Sequence, residues 1–120
     1  MKATFVELRP FQRALANYLD DDRFAALQAA MMADPIAGDV IQDTGGLRKL
    51  RFADGRRSKG TRGGLRVIYF WWPIGAQFWL FAIYDKNEAG DLSPAQRKVL
   101  KALLKAELDA HNPSSKEVLG

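Results

Sequence analysis

Hydrophobic and polar positions alternate over Thr4-Phe5-Val6-Glu7-Leu8, the period of a half-buried strand, and Arg9-Pro10 ends it. From Pro10 the period changes. Phe11, Ala14, Leu15, Tyr18 and Leu19 recur at helical spacing on one face, with proline suited to the first turn. Asp20-Asp21-Asp22 breaks that helix and supplies N-caps and favourable charge for a second, which carries Phe24, Leu27, Ala30 and Met31 inward and stops before Asp34-Pro35. The pair predicts a helical hairpin. Residues 36–46 read as a connector that turns at Gly45-Gly46. Leu47 to Phe52 then alternates as a strand, with Lys49 and Arg51 on one side and Arg48, Leu50 and Phe52 on the other.

Leu65 to Trp72 is apolar on both sides: Leu65, Val67, Tyr69 and Trp71 on one, Arg66, Ile68, Phe70 and Trp72 on the other. Pro73-Ile74-Gly75-Ala76 turns the chain, and Gln77 to Tyr84 returns as the hairpin mate. Strands of this kind belong mid-sheet, with a layer over each face. Ser93-Pro94-Ala95-Gln96 is a capping-box pattern opening a last helix. That helix sets Val99, Leu100, Leu103, Leu104 and Leu108 on one side and Lys98, Lys101 and Lys105 largely on the other. The expected class is α+β: a twisted, mostly antiparallel sheet of about four strands in the order β-α-α-β-β-β-α, packed by the helical hairpin and the last helix. One domain over residues 1–111, with 112–120 a frayed tail, accounts for the whole chain.

Charge changes the picture at one place. Residues 48–66 hold Arg48, Lys49, Arg51, Arg56, Arg57, Lys59, Arg62 and Arg66 against Asp54 alone, a local charge of +7 in a chain of +4. The rest is therefore mildly acidic. A basic segment repels itself unless an anion faces it, and this one leads straight into an aromatic strand, a plausible surface for a nucleic-acid backbone and its bases. A solvated basic loop is the plainer alternative.

The chain has no cysteine and one histidine, His111, beside the tail. Disulfides, cysteine-ligated zinc, a Ser-His-Asp triad and paired-histidine chemistry are thereby excluded. The glycines of KGTRGG lack the lysine-serine ending of a phosphate loop. Asp85, Glu88 and Asp91 are spaced for a magnesium ion, but solvated loop acids explain them more simply, and no cofactor is expected. No signal peptide or spanning segment is legible, so a cytoplasmic location is expected.

What remains is chemistry by cations. RNA is cut without a metal when the 2′-hydroxyl attacks its own phosphate, since the nucleophile is already tethered. Arginine suits the growing phosphoryl charge, a lysine crowded by arginines loses its proton more readily, and Tyr69 and Tyr84 are available to donate or stack. These residues fit equally a module that only binds nucleic acid.

GDVIQDTGGLRKLR, SKGTRGGLRVIYFWW, and IYDKNE before DLSPAQRKVL together resemble the HigB branch of the RelE superfamily of bacterial toxins, over nearly the whole chain. The resemblance implies a β-α-α-β-β-β core and a ribosome-dependent mRNA endonuclease that cleaves without metal in the ribosomal A site. It also implies a cognate antitoxin from the same operon, of helix-turn-helix type, with ribosome and mRNA as the other partners and no membrane. By the same resemblance Arg66 matches the arginine placed on the scissile phosphate. Lys49 and Arg51 match the basic residues of the preceding strand, and Lys59 and Arg62 the basic loop. Lys86 stands near where relatives place an arginine, and Asn87 follows it. The C-terminal tyrosine of some relatives has no counterpart, since Tyr84 is the last tyrosine, so the general base is Lys59, Lys86 or Tyr84. Arg66, Lys59, Lys86 and Tyr84 form the expected catalytic set, and Arg48, Lys49, Arg51, Arg56, Arg57, Arg62 and Tyr69 the expected RNA contacts. The alternatives are a ParE-like scaffold that poisons gyrase and a non-catalytic nucleic-acid-binding module.

Overall fold

The computed structural model describes residues 2–53, 64–88 and 90–111. Its elements are β1 (Thr4–Glu7), α1 (Arg9–Tyr18), α2 (Asp21–Ala33), β2 (Asp39–Val40), β3 (Arg48–Phe52), β4 (Leu65–Trp72), β5 (Gln77–Asp85) and α3 (Pro94–Ala110). They form an α+β structure with a mixed sheet of five strands in the order β1-β5-β4-β3-β2; β1 runs parallel to β5 and the other pairs are antiparallel. The sequence pattern missed β2. It lies inside the expected connector and exists only as the pairing of Asp39 with Lys49 and Val40 with Arg48, too short to carry a period.

The sheet has two apolar faces because both are covered. On one, the α1–α2 hairpin packs Phe11, Leu27 and Met31 against Leu65, Val67, Tyr69, Phe78 and Leu80. This hairpin carries the chain from the β1 edge to the β2 edge. Asp20 caps α2, its carboxylate accepting the Arg23 N–H at 2.9 Å, as the acidic triplet suggested. Ala30, expected inward, is exposed; Leu27 and Met31 supply the buried stripe.

On the other face α3 packs Leu104, flanked by Leu100 and Leu108, against Ile68, Trp79 and Phe81. Ser93 and Gln96 close both halves of the capping box, the Ser93 Oγ accepting the Gln96 N–H at 3.1 Å and Gln96 Oε1 accepting the Ser93 N–H at 2.9 Å. His111 ends the helix with its ring 4.7 Å from Trp79 and 4.9 Å from Trp72. The apolar side of α3 is wider than the sheet covers. Of the residues on that side, Val99 (60% exposed) and Leu103 (38%) stay exposed, lining an open groove. Among the described residues no helix is long and apolar enough to cross a membrane.

Candidate phosphate-binding site

The candidate site lies where β3 ends and β4 begins, on the α3 face. Alternation along β4 places Arg66 on the same side as Ile68, and the antiparallel register sets Arg51 of β3 directly opposite Arg66. Directly opposing side chains in such a pair stand about 5 Å apart. Lys49 lies two residues before Arg51 on the same face, opposite Ile68.

The third member comes from an irregularity. Between β4 and β5 the register steps from Tyr69–Leu80 to Ile68–Ala82, so Phe81 is an extra residue on β5. An unbroken ladder would set Ile83 opposite Arg66 and Tyr84 opposite Leu65. The bulge instead pairs Arg66 with Tyr84 and Leu65 with Asp85, and it sends Ile83 into the helical-hairpin core. Arg51, Arg66 and Tyr84 thus form one row across three strands.

Their surroundings differ. Arg66 is only 7% exposed, its Nη1 donating to the Leu65 carbonyl at 3.4 Å, whereas Arg51 is exposed. Burial pushes the Tyr84 hydroxyl above its ordinary pKa of 10.0; the Arg66 charge pulls it down and Asp91 pushes it up. Tyr84 therefore keeps its proton at neutral pH. It is suited to donate a hydrogen bond, and unsuited to the role of base. Lys49 is held by Asp91, Nζ to Oδ1 3.7 Å, an acid whose side chain is almost fully exposed and which composition marked only as a loop charge. Lys86 is exposed in the turn after β5, with its backbone N–H on the Gly64 carbonyl at 3.2 Å, which ties it to the same end of the sheet. Tyr84 and Asp91 also border an apolar groove of about 670 Å³ between β5 and α3, walled by Leu92, Val99 and Leu103.

Two of the expected RNA contacts lie on the other face of the sheet. Tyr69 is fully buried on the opposite face, its hydroxyl donating to the Pro35 carbonyl (2.8 Å) and accepting from the Gly38 N–H (3.1 Å), so no part of its ring meets a base. Arg48 shares that face, opposite Tyr69, and donates to the carbonyls of Gly38 (2.8 Å) and Ile36 (3.3 Å). Both pin the α2–β2 connection to the sheet. Arg56, Arg57, Lys59 and Arg62, with the expected tail of 112–120, lie outside the described residues.

The three acids that spacing grouped do not act together. Asp85 is no solvated loop acid; it ends β5, is 3% exposed and accepts the Asn87 N–H at 2.8 Å. Glu88 accepts the Tyr18 hydroxyl at 2.6 Å, and Asp91 faces Lys49. Among the described residues no three histidine or acidic side chains converge as a metal site. No protein-family model matches the chain.

Proposed function

We propose that the chain is a type II toxin of RelE-like fold, a ribosome-dependent endoribonuclease that cuts mRNA in the ribosomal A site through attack of the 2′-hydroxyl on its own phosphate. The observation that carries the reading is the row Arg51–Arg66–Tyr84, two cations and a protonated hydroxyl on one face. In the reaction the 2′-oxygen forms a bond to phosphorus, the bond to the 5′-oxygen breaks, and a cyclic phosphate is left. Arg66 takes the charge growing on the phosphoryl oxygens; set in the floor of the site and shielded from water, it is worth more there than an exposed cation. Arg51 and Lys49 hold the strand. Lys59 or Lys86 in its neutral form takes the 2′-hydroxyl proton, and Tyr84 hydrogen-bonds the leaving 5′-oxygen and gives it the proton with which it departs as a hydroxyl. The apolar groove beside Tyr84 suits a base drawn out of its stack. A cognate antitoxin holds the toxin inactive until it is degraded.

Induction in a bacterial cell, with primer extension on translated mRNAs, tests this. The wild type should arrest growth and leave new 5′ ends inside reading frames, and folded Arg66→Ala at equal level should do neither. Full toxicity of that variant would reject the assignment of Arg66. Arrest by the wild type without mRNA cleavage would favour the gyrase reading.

A further inference from the structure

One flank of α3 carries cations that the Arg66 site does not use. Arg97, Lys98 and Lys101 lie with Pro94 and Asp43 around a depression of about 330 Å³. Positions 97 and 101 are one turn apart and 98 and 101 three residues apart, so all three share a side of the helix. Asp43 stands in the turn between β2 and β3, so this flank is the one toward β3. Among the described residues none of the three cations has an ion-pair partner, whereas Lys105 one turn later is neutralised by Asp109 at 2.9 Å. With Asp43 as the one acid lining the depression, three cations leave a net positive charge there, unfavourable for the isolated chain and favourable where a further anion is met.

The flank continues the site. Asp91, two residues before the Ser93 cap, reaches Lys49, which stands two residues from Arg51 on β3, roughly 7 Å along a strand. Positive charge thus runs from Arg66 through Arg51 and Lys49 to Arg97 and Lys101, interrupted by Asp91 and Asp43. Resting on the reading of that site as an RNA site, we infer that the α3 flank holds the sugar–phosphate backbone of the same RNA beyond the scissile phosphate. Contacts of this kind position a strand without reading its sequence. An acidic peptide is the weaker fit, since among the described residues Pro94 is the only apolar one lining the depression.

The test is binding of a fluorescent 20-nucleotide single-stranded RNA to the full chain by anisotropy, across a salt series. Each phosphate contact on a single strand contributes about 0.7 to the slope of log affinity against log salt, so the triple variant Arg97→Gln/Lys98→Gln/Lys101→Gln should flatten it by roughly 2. Lys105→Gln, the same charge change at a cation with its own counter-ion, should bind as wild type. Circular dichroism confirms that each variant is folded. Wild-type slope and affinity in the triple variant overturn the inference; with Arg66→Ala weakened the site reading survives, and with Arg66→Ala also unchanged the RNA reading fails too. Unchanged RNA binding together with lost binding to polyglutamate would assign the flank to an acidic protein and equally overturn the inference.

Discussion

Tyr69→Phe separates a structural tyrosine from a nucleic-acid contact. The ring is fully buried and packs against Phe78 with centroids 6.0 Å apart, so removing one oxygen leaves the packing in place. What is lost is two hydrogen bonds. The Gly38 N–H, in a buried glycine, is left without its acceptor, costing about 1–3 kcal/mol; the partly exposed Pro35 carbonyl regains water and costs nearer 1 kcal/mol. The sum, about 2–4 kcal/mol, is a large share of the stability of a chain this size. At a urea m-value of about 2 kcal/mol/M the midpoint should fall by roughly 1–2 M with an unchanged slope. RNA affinity, measured below the transition, should stay at the wild-type level. A loss under about 0.5 kcal/mol would mean that the hydroxyl does not hold the α2–β2 connection. A stable variant with lost RNA affinity would return Tyr69 to the binding surface.

Further outcomes follow from the same structure. Because burial holds the Tyr69 hydroxyl above its ordinary pKa of 10.0, the folded chain keeps a proton that the unfolded chain releases. That stability is complete below pH 10 and lost as pH rises through the folded value, and Tyr69→Phe should show a shallower alkaline loss in thermal melts between pH 9 and 11. Spectrophotometric titration of tyrosinate, with Tyr84→Phe to assign the signal, should show Tyr84 ionising at lower pH in Asp91→Asn and at higher pH in Arg66→Ala; no movement in either would separate Tyr84 from those charges. Ser93→Ala removes one arm of the capping box and should cost about 1 kcal/mol in urea unfolding, with Ser93→Thr close to wild type.

Local signals carried far in this chain. The serine–glutamine spacing at 93 and 96, the aspartate at 20 and the two-faced apolarity of Leu65–Trp72 each report an interaction made within a few residues or a layer on both sides of a strand. Alternation puts Lys49 and Arg51 on one side of β3 and Arg66 with Ile68 on one side of β4; that the two sides are the same face follows only from the register that sets Arg51 opposite Arg66. The bulge was not legible. In Phe78–Ile83 every residue is apolar, so the sequence holds no polar marker of which side each one faces, and an extra residue at Phe81 leaves no trace. Yet it decides that Tyr84, and not Ile83, stands beside Arg66. For the same reason Tyr69 and Tyr84 looked alike as strand tyrosines; what separates them is which helices lie above each, information held in α1–α2 and α3. The exposed stripe of Val99 and Leu103 was equally hidden, because helical periodicity gives the width of an apolar face and not how much of it the sheet covers.

The central claim, cleavage through the RNA's own 2′-hydroxyl at the Arg66 row, is tested most directly by the ends of the cut RNA. Purified protein acting on mRNA in programmed ribosomes should give an upstream fragment ending in a 2′,3′-cyclic phosphate and a downstream fragment with a free 5′-hydroxyl. A single 2′-deoxy substitution on the 5′ side of the cut should abolish cleavage there, and Arg66→Ala should slow it by at least 10²-fold. A 5′-phosphate beside a 3′-hydroxyl, or undiminished cutting at the deoxy position, would contradict the mechanism; mRNA left intact by folded protein would contradict the function.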